Sequence, residues 1–108
     1  MTTGLSTTSP MISLAVLAGL LASSHQASAA DFFNGETVYR TYCESCHGPR
    51  GRGLIGNAPN FAHGQGLMKP DASLYEVIKD GKNSMPAFRG VLKSEEYFDV
   101  ISYIRSFY

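Results

Sequence analysis

Cys43-Glu44-Ser45-Cys46-His47 contains the chain's two cysteines and sets a histidine directly after the second. Two thiols at this spacing can add across the two vinyl groups of one haem while the adjacent imidazole reaches the iron, which is the attachment motif of a c-type haem. Three other chemistries compete for these residues. A redox dithiol needs a preceding strand in a βαβ pattern, whereas the segment before Cys43 reads as helix. A zinc site needs four ligands, and Cys43, Cys46 and His47 would have only His63 to complete the set. A disulfide between residues three apart closes a small, strained loop and leaves the histidine unexplained. Haem attachment alone accounts for all three residues.

If His47 takes one face of the iron, three side chains compete for the other. Met85 lies in Ser84-Met85-Pro86, where the following proline holds extended backbone that can present the thioether sideways, so it is the expected ligand. Met68 precedes Lys69-Pro70 at a helix start and is expected to fill the core or sit at the surface. His63, in a glycine-rich loop, is expected to be exposed. Ligation by His47 and Met85 closes both axial positions. The iron then has no site for substrate, and a soft thioether favours its ferrous state. The expected function is therefore one-electron transfer between larger proteins, not catalysis. Two alternatives share part of this chemistry: a fixed electron-relay subunit of a larger oxidoreductase, and a haem enzyme or gas sensor with an open distal side. No distal His-Arg pair of the peroxidase type supports the last.

The elements that must position these groups are helical. From about Asn34 to Cys43, the residues Gly35, Val38, Tyr39 and Tyr42 recur at helical steps and share a face, with Asp31 or Asn34 able to cap the start. Gly48, Gly51, Gly53 and Gly56, with Pro49 and Pro59, make the next stretch a loop. A second helix is announced by Pro70-Asp71 and by the capping-box pattern Ser73-Leu74-Tyr75-Glu76; it buries Leu74, Val77 and Ile78 and stops at Gly81. A third begins at Ser94 as cap, carries Glu95 and Glu96 at the positive end of its dipole, and buries Tyr97, Val100, Ile101, Ile104 and Phe107. No run alternates with period two, so the fold class is all-α.

The first thirty residues read as an export signal. Met11 to Ala22 is largely apolar and is followed by Ala27-Ser28-Ala29, a small-residue cleavage pattern. The expected division is 1-29 signal peptide and 30-108 a single domain. The apolar run is short of the ~20 residues that span a bilayer, so no stable membrane insertion of the mature chain is expected. The mature chain has 79 residues (108 − 29), a size that usually needs a staple, and here the staple is the macrocycle. All nine basic and all nine acidic residues follow Ala30. The mature net charge is thus zero, which gives no support to a nucleic-acid or membrane-surface role.

The whole mature chain resembles the class I cytochromes c. The residues that carry the resemblance are Gly35 and Tyr39 in the first helix, Cys43 to His47 at its end, Pro59-Asn60-Phe61, Ser84-Met85-Pro86-Ala87-Phe88, and Val100 with Tyr103 in the last helix. The resemblance implies a small fold packed around one covalent haem c, with Cys43 and Cys46 as thioethers. It also implies that His47 and Met85 bind the iron, and that the Pro59 carbonyl accepts a hydrogen bond from the ligating imidazole and orients His47. It implies periplasmic maturation, because haem is attached to such cysteine pairs outside the cytoplasm in bacteria. Gly35 and Tyr39 are expected to cross the last helix at Val100 and Tyr103, since glycine lets two backbones approach closely. Redox partner proteins are expected, docking through an acidic patch against Arg50, Arg52, Lys79, Lys82 and Arg89, with Glu95, Glu96 and Asp99 gathered elsewhere.

Overall fold

The computed structural model describes residues 1–6 and 28–108; the apolar run from Met11 to Ala22 lies outside the described residues. Among the described residues the helices are α1 (Phe32–Tyr42), α2 (Glu44–His47), α3 (Asp71–Asp80) and α4 (Ser94–Arg105), with 3-10 turns at Pro49–Gly51 and Phe61–His63. Among the described residues the only extended pairing is an isolated bridge between Lys82 and Met85. The class is all-α, as the periodicity implies. No described helix is long and apolar enough to cross a membrane.

Helix α1 starts two residues before the expected Asn34 because Asp31 is the cap. Its Oδ1 accepts from the Phe33 and Asn34 N–H groups, each at 3.0 Å, satisfying donors that the first turn leaves free. Gly35, Val38 and Tyr39 are buried on its inner face, whereas Tyr42 is exposed. The chain kinks at Cys43 (φ −116°, ψ −36°) into the single turn of α2.

The capping box expected at Ser73 is not formed. Pro70 brings a fixed φ of −59° to the cap position, and its carbonyl receives the Ser73 and Leu74 N–H groups at 3.0 and 3.2 Å. The helix has therefore already begun when Ser73 is reached. Glu76 instead pairs with Lys79 at 2.8 Å. At α4, Ser94 is the first helical residue and Lys93 takes the cap position, where its N–H donates to the Glu96 carboxylate at 2.8 Å. Tyr97, Val100, Ile101 and Ile104 are buried as expected, and Asp99 joins them.

Helices α1 and α4 cross where the sequence places them. A Cβ built on Gly35 would stand 2.0 Å from the Asp99 carbonyl oxygen and 3.1 Å from Tyr103 Cβ, so the two backbones are in contact and only glycine fits. The Tyr39 and Tyr103 rings lie 5.5 Å apart, and Phe107 stands edge-on to both at 5.1 and 5.0 Å. These tilted and edge-on contacts are the preferred aromatic geometry. Asp99 closes the crossing from the other side: Oδ1 accepts the Asp31 N–H at 2.6 Å and Oδ2 accepts from the Asn34 amide at 2.8 Å. Farther along, the Arg105 guanidinium donates to the Leu67 and Lys69 carbonyls, each at 2.7 Å, and to the Asp71 carboxylate.

Candidate functional site

One end of the α1/α4 pair opens into a cleft lined by Tyr39, Cys43, His47, Phe61, Ile78, Met85, Val100 and Ile104. Cys43 is half-buried on its wall, Cys46 is exposed at the turn beside it, and both thiols are free. Burial, reinforced by the neighbouring Cys46, pushes the Cys43 thiol up to about 12, so it is protonated at neutral pH. The loop folds back over the motif, with the Gly53 N–H on the His47 carbonyl at 2.7 Å and the Leu54 and Ile55 N–H groups on that of Cys46. The buried Tyr39 hydroxyl donates to the Gly48 carbonyl at 2.6 Å.

His47 is 9% exposed. Burial holds its pKa below the usual imidazole range and favours the neutral ring that can ligate a metal. The ring stacks on Phe61, with centroids 4.8 Å apart and planes 14° from parallel. Its Nδ1 has no hydrogen-bond partner among the described residues, so the bond expected to the Pro59 carbonyl is not formed here. Pro59 is half-buried in the preceding loop, and its carbonyl lies beside Gly53.

Met85 reaches the cleft from a tight turn. The Lys82 and Met85 backbones exchange hydrogen bonds of 3.1 and 2.9 Å, and Asn83 between them adopts φ 53°, a left-handed conformation that asparagine tolerates. The turn rests on Gly81 (φ 76°), where a Cβ would stand 2.6 Å from the Met85 carbonyl oxygen and 2.9 Å from the Ala87 nitrogen. Beyond it, the Phe88 and Arg89 N–H groups donate to the Ile78 and Lys79 carbonyls at 3.1 Å each, using acceptors that the end of α3 leaves free. The buried Tyr97 hydroxyl donates to the Phe88 carbonyl at 3.0 Å. Cys43, His47 and Met85 are thus brought to one cleft with Cys46 beside it, while Met68 (84% exposed) and His63 face solvent. The sequence reading took Gly81 only as a helix stop and Tyr97 only as core; the positive φ and the hydroxyl contact are three-dimensional facts that periodicity does not carry.

The charges sort differently from expectation. Lys79 is paired with Glu76, and Arg89 with Asp80. Arg50, Arg52 and Lys82 are exposed and in no ion pair with a described residue. Asp99 is not surface charge at all, being 5% exposed beneath the N-terminus of α1.

Comparison with known proteins fits this geometry. Residues 30–104 match the family described as cytochrome C oxidase, cbb3-type, subunit III. The chain is 35% identical to cytochrome c6 of Thermosynechococcus vestitus over 86% of its own length and 82% of that protein. It is 33% identical to cytochrome c6 of a Nostoc species, covering 87% and 86% of the two chains. The crystal structure of cytochrome c6 from the diatom Phaeodactylum tricornutum superposes with a TM-score of 0.51 at 28% identity, over 70% of this chain and 92% of that one. The chain belongs to the class I c-type cytochromes. It is an electron-transfer protein, not an enzyme, that carries one covalently bound haem c and works with redox partner proteins. The donor set fits such a group: two free thiols, a buried neutral imidazole with an unpartnered nitrogen, and a thioether around an apolar cleft.

Proposed function

We propose that Cys43 and Cys46 hold the haem as thioethers and that His47 and Met85 are its two axial ligands, in a carrier that shuttles single electrons between larger proteins. The carrying observation is the convergence of Cys43, His47 and Met85 on one apolar cleft while the competing Met68 and His63 stand in solvent. When bound, the haem supplies an iron that alternates between the ferrous and ferric states. The chain's part is to fix the surroundings. Phe61, Ile78, Val100 and Ile104 keep water from the cleft, the turn on Gly81 fixes Met85, and the thioether favours the reduced state. With the haem bound, the Pro59 carbonyl would accept a hydrogen bond from the His47 Nδ1, which has no partner among the described residues here, and so orient the ring.

The chain is read as a signal peptide over 1-29, cut after Ala29, and a cytochrome domain over 30-108 that acts in the periplasm. The family match beginning at residue 30 supports that division. Docking is assigned to Arg50, Arg52 and Lys82, the members of the expected basic patch that have no ion-pair partner among the described residues, against an acidic patch on the redox partner. The matched family's description as an oxidase subunit favours a second reading, a relay fixed in a larger complex; purification in a stable stoichiometric complex would select it.

Spectroscopy of the ferric holoprotein tests the ligand set. Met85→Ala is expected to lose the weak far-red sulfur-to-iron band and to bind carbon monoxide once reduced, whereas Met68→Ala leaves the spectrum unchanged. Loss of low-spin character in the Met68 variant instead would overturn the assignment.

A further inference from the structure

Asp99 is 5% exposed, and both of its oxygens accept hydrogen bonds, from the Asp31 N–H and the Asn34 side-chain amide. Both donors are neutral, and no cation pairs with this side chain among the described residues. A buried charge without a counter-ion is costly, and native structures normally supply one. The chain just before Asp31 lies in the same place: Ala30 lines a cavity with Asp31, Asn34, Glu95, Phe98 and Asp99.

We infer that removal of the leader completes this site, the new α-ammonium of Ala30 becoming the missing counter-ion of Asp99. The inference rests on the cleavage position proposed above. Backbone dimensions put the Ala30 nitrogen less than about 4 Å from the Asp31 nitrogen, which itself lies 2.6 Å from Asp99 Oδ1. The ammonium therefore lies at most about 6.6 Å from that oxygen, at the outer limit of the ~4–6 Å over which an opposite charge acts strongly. In the precursor the same nitrogen is a neutral amide. The ionisable groups facing the position are Asp31 at the start of α1, and Glu95 and Asp99 on α4, all acidic. The positive end of the α1 dipole opposes the ammonium, but it amounts to about half a unit charge, against three full carboxylate charges lining the same cavity. Export processing thereby adds a charge pair to a helix crossing that is already formed with the leader attached.

The sign of the pH dependence follows. An amine that gains anionic partners has its pKa raised above the free value of ~7.7–8.0, so its contribution is complete below that range and disappears as pH rises through the folded value. The test compares the holoprotein made to begin at Ala30 with one carrying Gly-Ser before Ala30, each with Asp99 or Asp99→Asn, by urea unfolding from pH 6 to 10. At pH 6 the extended form is expected to have an unfolding constant at least about tenfold larger. The difference should vanish by pH 10 and be absent in the Asp99→Asn pair. Equal stability at pH 6, or a difference that survives Asp99→Asn, overturns the inference. If Asp99→Asn does not fold, the pH dependence of α-amine acylation in the wild type decides, and a free-amine titration refutes it. The mass of the exported protein tests the cleavage position separately: another N-terminus sinks that reading, while the form made to begin at Ala30 still judges the ion pair.

Discussion

Replacing Gly35 by Ala sets two effects of opposite sign against each other, and the structure fixes which one wins. Helix propensity alone favours the substitution by about 1 kcal/mol. The new methyl, however, would lie 2.0 Å from the Asp99 carbonyl oxygen and 2.5 Å from its carbon. Ordinary contact begins near 3.4 Å, so α4 must retreat by roughly 1.4 Å (3.4 − 2.0), and backbone has no rotamer with which to give way. Parting the helices by that much loosens Tyr39, Val100 and Ile101, the largest fully buried side chains. A gap of 0.5–1 Å already forfeits a quarter to a half of the dispersion well. Overpacking of this kind costs about 1–3 kcal/mol, and the two bonds to Asp99 add about 1 kcal/mol each as they stretch. The net expectation is a loss of about 2–4 kcal/mol. Urea unfolding of the ferric holoprotein, followed by far-ultraviolet circular dichroism and Soret absorbance together, measures it. A Gly35→Ala protein as stable as wild type, or more so, would refute the reasoning and show that propensity outweighs the crossing contact.

Cys43→Ser or Cys46→Ser is expected to weaken covalent haem retention and the double variant to abolish it, read by haem staining after denaturing electrophoresis. Gly81→Ala drives a methyl into the Met85–Ala87 backbone, so the far-red sulfur band should be lost at a lower denaturant concentration than the helical signal; simultaneous loss would contradict a local role. The mature apoprotein is expected to be largely unfolded, since a short chain with long loops gains part of its folding free energy from the macrocycle; native helicity by circular dichroism in protein made without haem would count against this. Reversing Arg50, Arg52 and Lys82 to Glu should slow bimolecular electron transfer and flatten its fall with salt, because steering is screened over ~8 Å at physiological ionic strength. Unchanged stopped-flow rates would move docking to other residues.

What the sequence made legible was set by how local each signal is. Gly35, Tyr39 and the apolar stripe of α4 are periodic patterns, and the crossing they imply is present. The meeting of the Cys-His motif with Met85 was reached through the Pro86 context and the family resemblance rather than through spacing. Ser73 misled because a side-chain capping pattern competed with Pro70, whose fixed φ starts the helix earlier. Asp99 misled for another reason: two residues beyond Tyr97 in an acidic run, it reads as solvated charge. Only the fold reveals that it faces the start of α1. Likewise Lys79 and Arg89 read as part of a basic patch, and their pairing with Glu76 and Asp80 is fixed by how the segment after Met85 returns along the end of α3.

The Arg105 guanidinium has a consequence for how this molecule tolerates change. By holding the Leu67 and Lys69 carbonyls together with Asp71, it fastens one end of the long connection between α2 and α3. The backbone bonds from Gly53, Leu54 and Ile55 to the Cys-His motif fasten the other. Between those fastenings lies an exposed tip, Ile55 to Asn57, and a Cβ on Gly56 would meet nothing within 4 Å. Lengthening a loop whose ends are already fixed is thermodynamically mild, about 0.6 kcal/mol for each doubling. Insertions at this tip are therefore the cheapest route by which the chain can acquire a new surface beside its cysteine motif, leaving the helical frame and the cleft as they are.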